Sequence, residues 1–205
     1  GGLGNIFKNP QLFLNGYRRV VNQISGNYYS PKIDKMISLM KSQKTLIFTN
    51  WIEYGVKPIE KELKKHNVKF GTISGSLSKK QRMKLVEEFN SEKLDTLVIT
   101  TAGSEGLDLK GVRNVIITDP TWHPAGIRQI IGRAVRYKSH AHLPAKDRIV
   151  NVYKMVMTEG KKEDVHDIHV DNRLTYSGDV ILYNIIARRE EEEKEIYDLL
   201  KKISL

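Results

Sequence analysis

"DTLVITTAGSEGLDLKGVRNVIITDP", residues 95 to 120, is the stretch on which the fold turns. Two apolar runs, residues 95 to 100 and 113 to 119, flank a stretch of small and hydroxylated residues. Neither run alternates apolar with polar positions. Each therefore reads as a strand buried on both faces, the pattern of a parallel sheet covered by helices. In such sheets ligands bind beyond the C-terminal ends of the strands. Thr100, Thr101, Gly103, Ser104 and Gly106 occupy that place after the first run. Small residues let backbone N–H groups approach an anion, and hydroxyls donate to phosphate oxygens. An ordinary Gly/Ser turn has the same composition. Asp108 is more specific, since a carboxylate beside a phosphate serves by accepting from a ribose hydroxyl or by holding an arginine.

Outward from this stretch the pattern repeats. "SPKIDKMISLMK" predicts a helix in which Ser30 suits the N-cap, Pro31 the first turn, and Ile33, Met36, Ile37 and Met40 share one face. Strands are expected at 45 to 49, 68 to 74 and 148 to 156. Helices are expected over "IEYGVKPIEKELKKH", with Gly55 and Pro58 as blemishes, and over "SKKQRMKLVEEFN", with Met83, Val86 and Phe89 inward. "PAGIRQIIGRAVR" predicts a further helix with Pro124 in its first turn. Alternating strands and helices define an α/β fold, a parallel sheet with helices on both faces. The expected organisation is a lead-in or linker over 1 to 29, one domain over 30 to 157, and a C-terminal helical extension over 158 to 205. The extension contains the charged run "ARREEEEKE", which reads first as a solvated helix face.

The net charge is +10, from 34 basic and 24 acidic residues. Such an excess favours polyanions without choosing among nucleic acid, phosphate ligands and an acidic membrane surface. The chain has no cysteine, which excludes disulfides, thiolate metal sites and a cysteine nucleophile. His140, His142, His166 and His169 stand in polar loops, and no metal site is expected from them. No apolar run approaches the length of a membrane span and no secretory pattern opens the chain, so an intracellular protein is expected.

The strongest chemical signal is "QIIGRAVRYKSH", residues 129 to 140. Gln129, Gly132, Arg133 and Arg136 fall at helical spacing, and Arg133 and Arg136, three apart, can converge on one anion. Two guanidiniums suit a triphosphate, one for the ground state and one for charge developing on the transferred group.

Here the residues resemble a family. "QIIGRAVR" looks like the Q-x-x-G-R-x-x-R motif of superfamily 2 helicases and translocases. "TLIFTN", "GTISGSLSKKQRMKLVEEFN" and the 95 to 120 stretch resemble, in order, the other motifs of the second RecA-like lobe. "DPTWHP" is similar to an element of Snf2-type DNA translocases. "YKSHAHLPAKDRIVNVYKMV" resembles the nucleoside triphosphatases and early-transcription helicases of poxviruses and other large DNA viruses. The resemblance implies a RecA-like lobe in which Arg136 is an arginine finger and Arg133 its neighbour. It places Gly106, Asp108, Gln129 and Gly132 near the nucleotide. Asn50, Ser74, Gly75, Lys79, Thr100 and Thr101 would lie near a nucleic-acid backbone, DNA rather than RNA. Trp51 reads first as a packed boundary residue and only second as a base-stacking platform. ATP and Mg2+ are the implied cofactors, held mainly by a first lobe, because no G-x-x-x-x-G-K-[ST] loop exists in this sequence. The chain alone is expected to be inactive as an ATPase. Implied partners are that N-terminal lobe, transcription proteins and no membrane; a viral protein would work in host cytoplasm or virion. The alternative is a non-catalytic nucleic-acid-binding or transcription-factor docking module.

Overall fold

The computed structural model describes residues 31–104, 106–119, 124–134 and 139–156. These build a parallel five-stranded sheet. In chain order its elements are α1 (Pro31–Met40), β1 (Thr45–Phe48), α2 (Lys57–Lys65), β2 (Phe70–Ile73), α3 (Lys79–Asn90), β3 (Thr96–Ile99), β4 (Asn114–Ile117), α4 (Pro124–Ala134) and β5 (Asn151–Lys154). The strands lie side by side in the order β2-β3-β1-β4-β5. All neighbouring pairs are parallel, so Phe48 stands level with both Ile99 and Ile117.

The continuous apolar runs find their reason here. Leu46, Phe48, Leu97, Ile99, Val115 and Ile117 point to one face, where Phe89 of α3 and Ile130 and Ala134 of α4 cover them. The alternate residues Ile47, Val98 and Ile116 point to the other, against Ile33, Met36 and Met40 of α1 and Ile59 and Leu63 of α2. Both pleat faces are thus removed from water, each buried aliphatic side chain contributing about 1.5–3 kcal/mol. Because β1 runs on into α2 on one face and β4 into α4 on the other, a crevice is expected between the tips of these two neighbours.

The strands are shorter than the apolar runs suggest, four residues each. Met83 is not inward but 63 % exposed, and Ile37 is half-buried. The core stripe of α3 runs through Leu85, Val86 and Phe89, and Met83 lies off it. The expected helix from Ile52 begins instead as a π-helical turn, Ile52–Val56, before α2. The blemishes explain this. A Cβ at Gly55 would overlap Thr49 Oγ1, so only glycine lets this turn pack against the end of β1. Pro58 sits at the start of α2, where its missing N–H costs nothing. α3 is capped as expected: Ser78 Oγ accepts from the Gln81 N–H at 3.3 Å, and Gln81 Oε1 accepts from the Ser78 N–H at 2.9 Å.

Candidate nucleotide and nucleic-acid site

The register of the strands brings the polar residues that follow them to one edge. Thr49 and Asn50 follow β1, Ser74 and Gly75 follow β2, Thr100 and Thr101 follow β3, and Thr118 and Asp119 follow β4. These tips are joined to each other. Thr101 Oγ1 donates to Asn50 Oδ1 at 3.2 Å across two neighbouring strands. The Asn50 N–H donates to Asp119 Oδ2 at 3.1 Å and the Thr49 hydroxyl to the same oxygen at 2.6 Å. Ser74 and Ser76 share a 2.8 Å hydrogen bond, and a Cβ at Gly75 would press on Ala102, 2.8 Å away. The turn 101–103 lies directly on the end of β2, since a Cβ at Gly103 would overlap the Ile73 carbonyl.

Of the six residues expected near a nucleic-acid backbone, Asn50, Ser74, Gly75, Thr100 and Thr101 therefore share this edge. Thr100 is buried, while Gly75 and Thr101 are exposed and Asn50 and Ser74 half-buried. Lys79 is exposed at the first position of α3, next to Lys80. Two cations at the positive end of a helix dipole oppose each other and the dipole, an arrangement that an anion relieves. Trp51 is half-buried, in keeping with a packed boundary position.

The residues expected near the nucleotide lie on the α3 and α4 side. Gly106 is exposed with φ +71°, a left-handed conformation that favours glycine, and Asp108 is exposed while Leu107 and Leu109 are buried. Leu107 and Leu109 share one apolar cluster with Ile130 and Ala134, so loop 106–109 and α4 sit on the same face of the sheet. α4 buries Ile130 and Ala134 and exposes Gln129 and Gly132. A Cβ at Gly132 would meet no described atom within 4 Å. Gly126 of the same helix meets none either, so open space alone does not single Gly132 out. Gly106, Asp108, Gln129 and Gly132 are exposed and small or polar, which is compatible with a nucleotide beside them. For magnesium, no group of three His, Cys, Asp or Glu occurs among the described residues. Arg136 and the Arg133 side chain, and with them the expected convergence, lie outside the described residues, as does Ser30.

Three residues that carry this arrangement were given no positioning role by the sequence. Asn90, at the end of α3, clamps the Asp108 loop: its amide donates to the Asp108 carbonyl at 2.9 Å and its oxygen accepts from the Lys110 N–H at 2.8 Å. His140 is buried, its Nε2 2.6 Å from the Val112 carbonyl and its Nδ1 2.8 Å from the Ser139 hydroxyl. Nε2 is the donor, since a carbonyl only accepts. With the Gly111 N–H donating to the Ser139 carbonyl at 3.0 Å, this pins the segment after the arginine motif to the start of β4. The third is Asp119, which the sequence marks as the first residue of the "DPTWHP" element but gives no partner. A polar residue at a helix end, in a loop or after a strand has no spacing signature that names what it bonds to.

Residues 31–138, more than half of the chain, match the helicase conserved C-terminal domain, and the chain belongs to that family. Its RecA-like sheet is the fold of the second lobe of ATP-dependent helicases. The chain is 34 % identical over 151 residues to a protein of Acanthamoeba polyphaga mimivirus named as an ATP-dependent RNA helicase, covering 73 % of this chain and 34 % of that one. It is 27 % identical over 175 residues to nucleoside triphosphatase I of Heliothis armigera entomopoxvirus, covering 82 % and 25 %. The chain thus spans about a third or less of these relatives. The crystal structure of the C-terminal part of the Fun30 ATPase domain superposes with a TM-score of 0.56 at 22 % identity, over 91 % of this chain and 62 % of that one, a likeness of fold.

Proposed function

We propose that this chain is the second motor lobe of an ATP-dependent nucleic-acid helicase or translocase. The observation that carries the reading is α4, which turns Gln129 and the unobstructed Gly132 outward while Ile130 and Ala134 anchor it to the core. That supports reading α4 as half of a nucleotide site, in a sequence without a phosphate-binding loop. ATP with magnesium, bound mainly by a first lobe, supplies the phosphoryl group whose hydrolysis drives the motor. On this side Arg136 meets charge developing on the γ-phosphate, Arg133 holds a phosphate or an acidic group of the first lobe, and Gly132 permits close approach. Asp108 accepts from the ribose or orients an arginine. Asn50, Ser74, Gly75, Lys79, Thr100 and Thr101 contact a nucleic-acid backbone and read no sequence. The "DPTWHP" element favours DNA over RNA, the organisation into lobe and helical extension follows the limits 30 to 157 and 158 to 205, and the protein works inside the cell.

The test is ATP hydrolysis by the full-length parent chain with and without nucleic acid. Arg136→Ala is expected to lower turnover about 10³-fold or more, in the range of arginine-finger losses, while nucleic-acid affinity changes less than about twofold. Equal loss of both activities sinks the finger assignment. A parent chain without turnover favours the docking-module reading.

A further inference from the structure

The crevice between the tips of β1 and β4, where this topology is expected to receive a ligand, is crossed by a carboxylate. Asp119 is 2 % exposed and stands immediately beyond β4. Its Oδ2 accepts from the Thr49 hydroxyl at 2.6 Å, within the range of a charge-assisted O–H···O⁻ bond, and from the Asn50 N–H at 3.1 Å. Thr118 contributes a longer contact of 3.3 Å, its hydroxyl bonding more closely to the Phe48 carbonyl at 2.9 Å. Thr49 Oγ1 in turn receives the Trp51 N–H at 3.4 Å and packs against Gly55 of the π-helical turn. Asn50, held by its backbone, offers its side-chain oxygen to Thr101 at the tip of β3.

A negative charge at this edge is electrostatically wrong for a surface that holds a polyanion. Burying it also carries a desolvation cost that only good hydrogen bonds offset. Its partners explain it. Asp119 Oδ2 accepts from the Thr49 hydroxyl and the Asn50 N–H, and these bonds fix the Asn50 backbone from which the side chain reaches Thr101. We propose that Asp119 is a positioning residue for nucleic-acid binding: through Thr49 and Asn50 it holds Asn50 and Thr101 in the geometry that grips the backbone phosphates. Asp119 itself touches no phosphate. The inference rests on the reading of this edge as a nucleic-acid surface, and it runs against the simple charge rule, under which removing the carboxylate strengthens binding.

Asp119→Asn, Thr49→Val and Thr49→Ser in the full-length parent chain test it. Single-stranded or duplex DNA, or RNA where DNA does not stimulate, is titrated into the ATPase assay, with a thermal melt of each variant. Asp119→Asn is expected to raise the nucleic-acid concentration for half-maximal stimulation about five- to tenfold, because the Thr49 and Asn50 bonds then go to a neutral amide oxygen rather than a charged one. Turnover at saturation and the KM for ATP stay within about twofold of wild type, since neither is built from this node. Thr49→Val shifts the same quantity in the same direction, and Thr49→Ser, which keeps the hydroxyl, restores it. Half-maximal stimulation unchanged or moved to lower concentration in Asp119→Asn overturns the inference, as does a loss confined to saturating turnover. If Asp119→Asn does not fold, the Thr49 pair decides by the same criteria. A wild-type ATPase indifferent to nucleic acid overturns the underlying reading as well, and that outcome is recognised before any variant is made.

Discussion

Lys44 carries its ammonium away from water with no ion pair among the described residues. Its Nζ lies 4.4 Å from the centre of the Phe89 ring and has no hydrogen-bond partner among the described residues. Burial pushes its pKa below the ordinary 10.5, while Glu92 and Asp95 at longer range oppose the shift. A folded state that binds the proton less tightly than the unfolded chain is destabilised while both are protonated, and recovers as pH climbs through the lowered pKa toward 10.5. Lys44→Met keeps the stem and removes the charge. The variant is expected to match wild type or exceed it by up to about 1 kcal/mol near neutrality, the lost cation–π contact offsetting part of the gain. That difference shrinks as pH approaches 10.5. Thermal melts across this range decide; a variant less stable by the same margin at every pH contradicts the account. His140 shows the reverse economy. Both of its nitrogens are engaged, so His140→Ala leaves the Val112 carbonyl and the Ser139 hydroxyl unsatisfied and is expected to cost about 1–3 kcal/mol in a denaturant melt.

Two glycines of the helical elements are expected to behave oppositely, because their surroundings differ. Gly55→Ala drives a methyl group into Thr49 Oγ1 and pushes the π-helical turn off the tip of β1. A loss of about 1–3 kcal/mol in stability is expected, read as a lower melting temperature. Gly132→Ala meets open space among the described residues in the interior of α4. Alanine is the better helix former by about 1 kcal/mol, so the variant is expected to melt no lower than wild type. ATP turnover of the parent chain nevertheless falls, if the open space is where a phosphate or the first lobe approaches. Unchanged turnover in a stable Gly132→Ala removes that glycine from the site. The ends of the helices were harder to read than their beginnings. The cap at Ser78 is written in residue types. α1, α2 and α3 instead stop through Lys41, Asn67 and Glu92 at positive φ, with no glycine to announce the turn.

For the whole molecule, an excess of ten positive charges on a chain whose polar strand tips form one edge predicts nucleic-acid binding without sequence preference. Affinity is expected to fall at least about tenfold between 50 and 200 mM salt, as counterions cease to be released at a profit in entropy. Binding that ignores salt over this range contradicts a surface that tracks phosphates. The basic residues along α3, Lys79, Lys80, Arg82 and Lys84, with Lys110 opposite, outnumber Glu87 and Asp108 in an open groove beside the Gly106–Asp108 loop.

The sequence by itself determined the α/β class, the order of the elements, the double burial of β1, β3 and β4 and the helicase motifs. Those properties are local: apolar runs, capping residues and short spacings express them within a few residues of chain. It also indicated that residues after successive strands gather at one edge, because parallel strands place all their C-terminal ends together. Tertiary structure alone decided the strand order and the pairing of Asp119 with Thr49 and Asn50, some seventy residues apart. The clamp from Asn90 to the Asp108 loop and the dock of His140 on Val112 have the same character. A hydrogen bond across the sheet leaves no periodicity in the chain, and a lone Asp, Asn or His has the same appearance whether it faces water or holds a site in register.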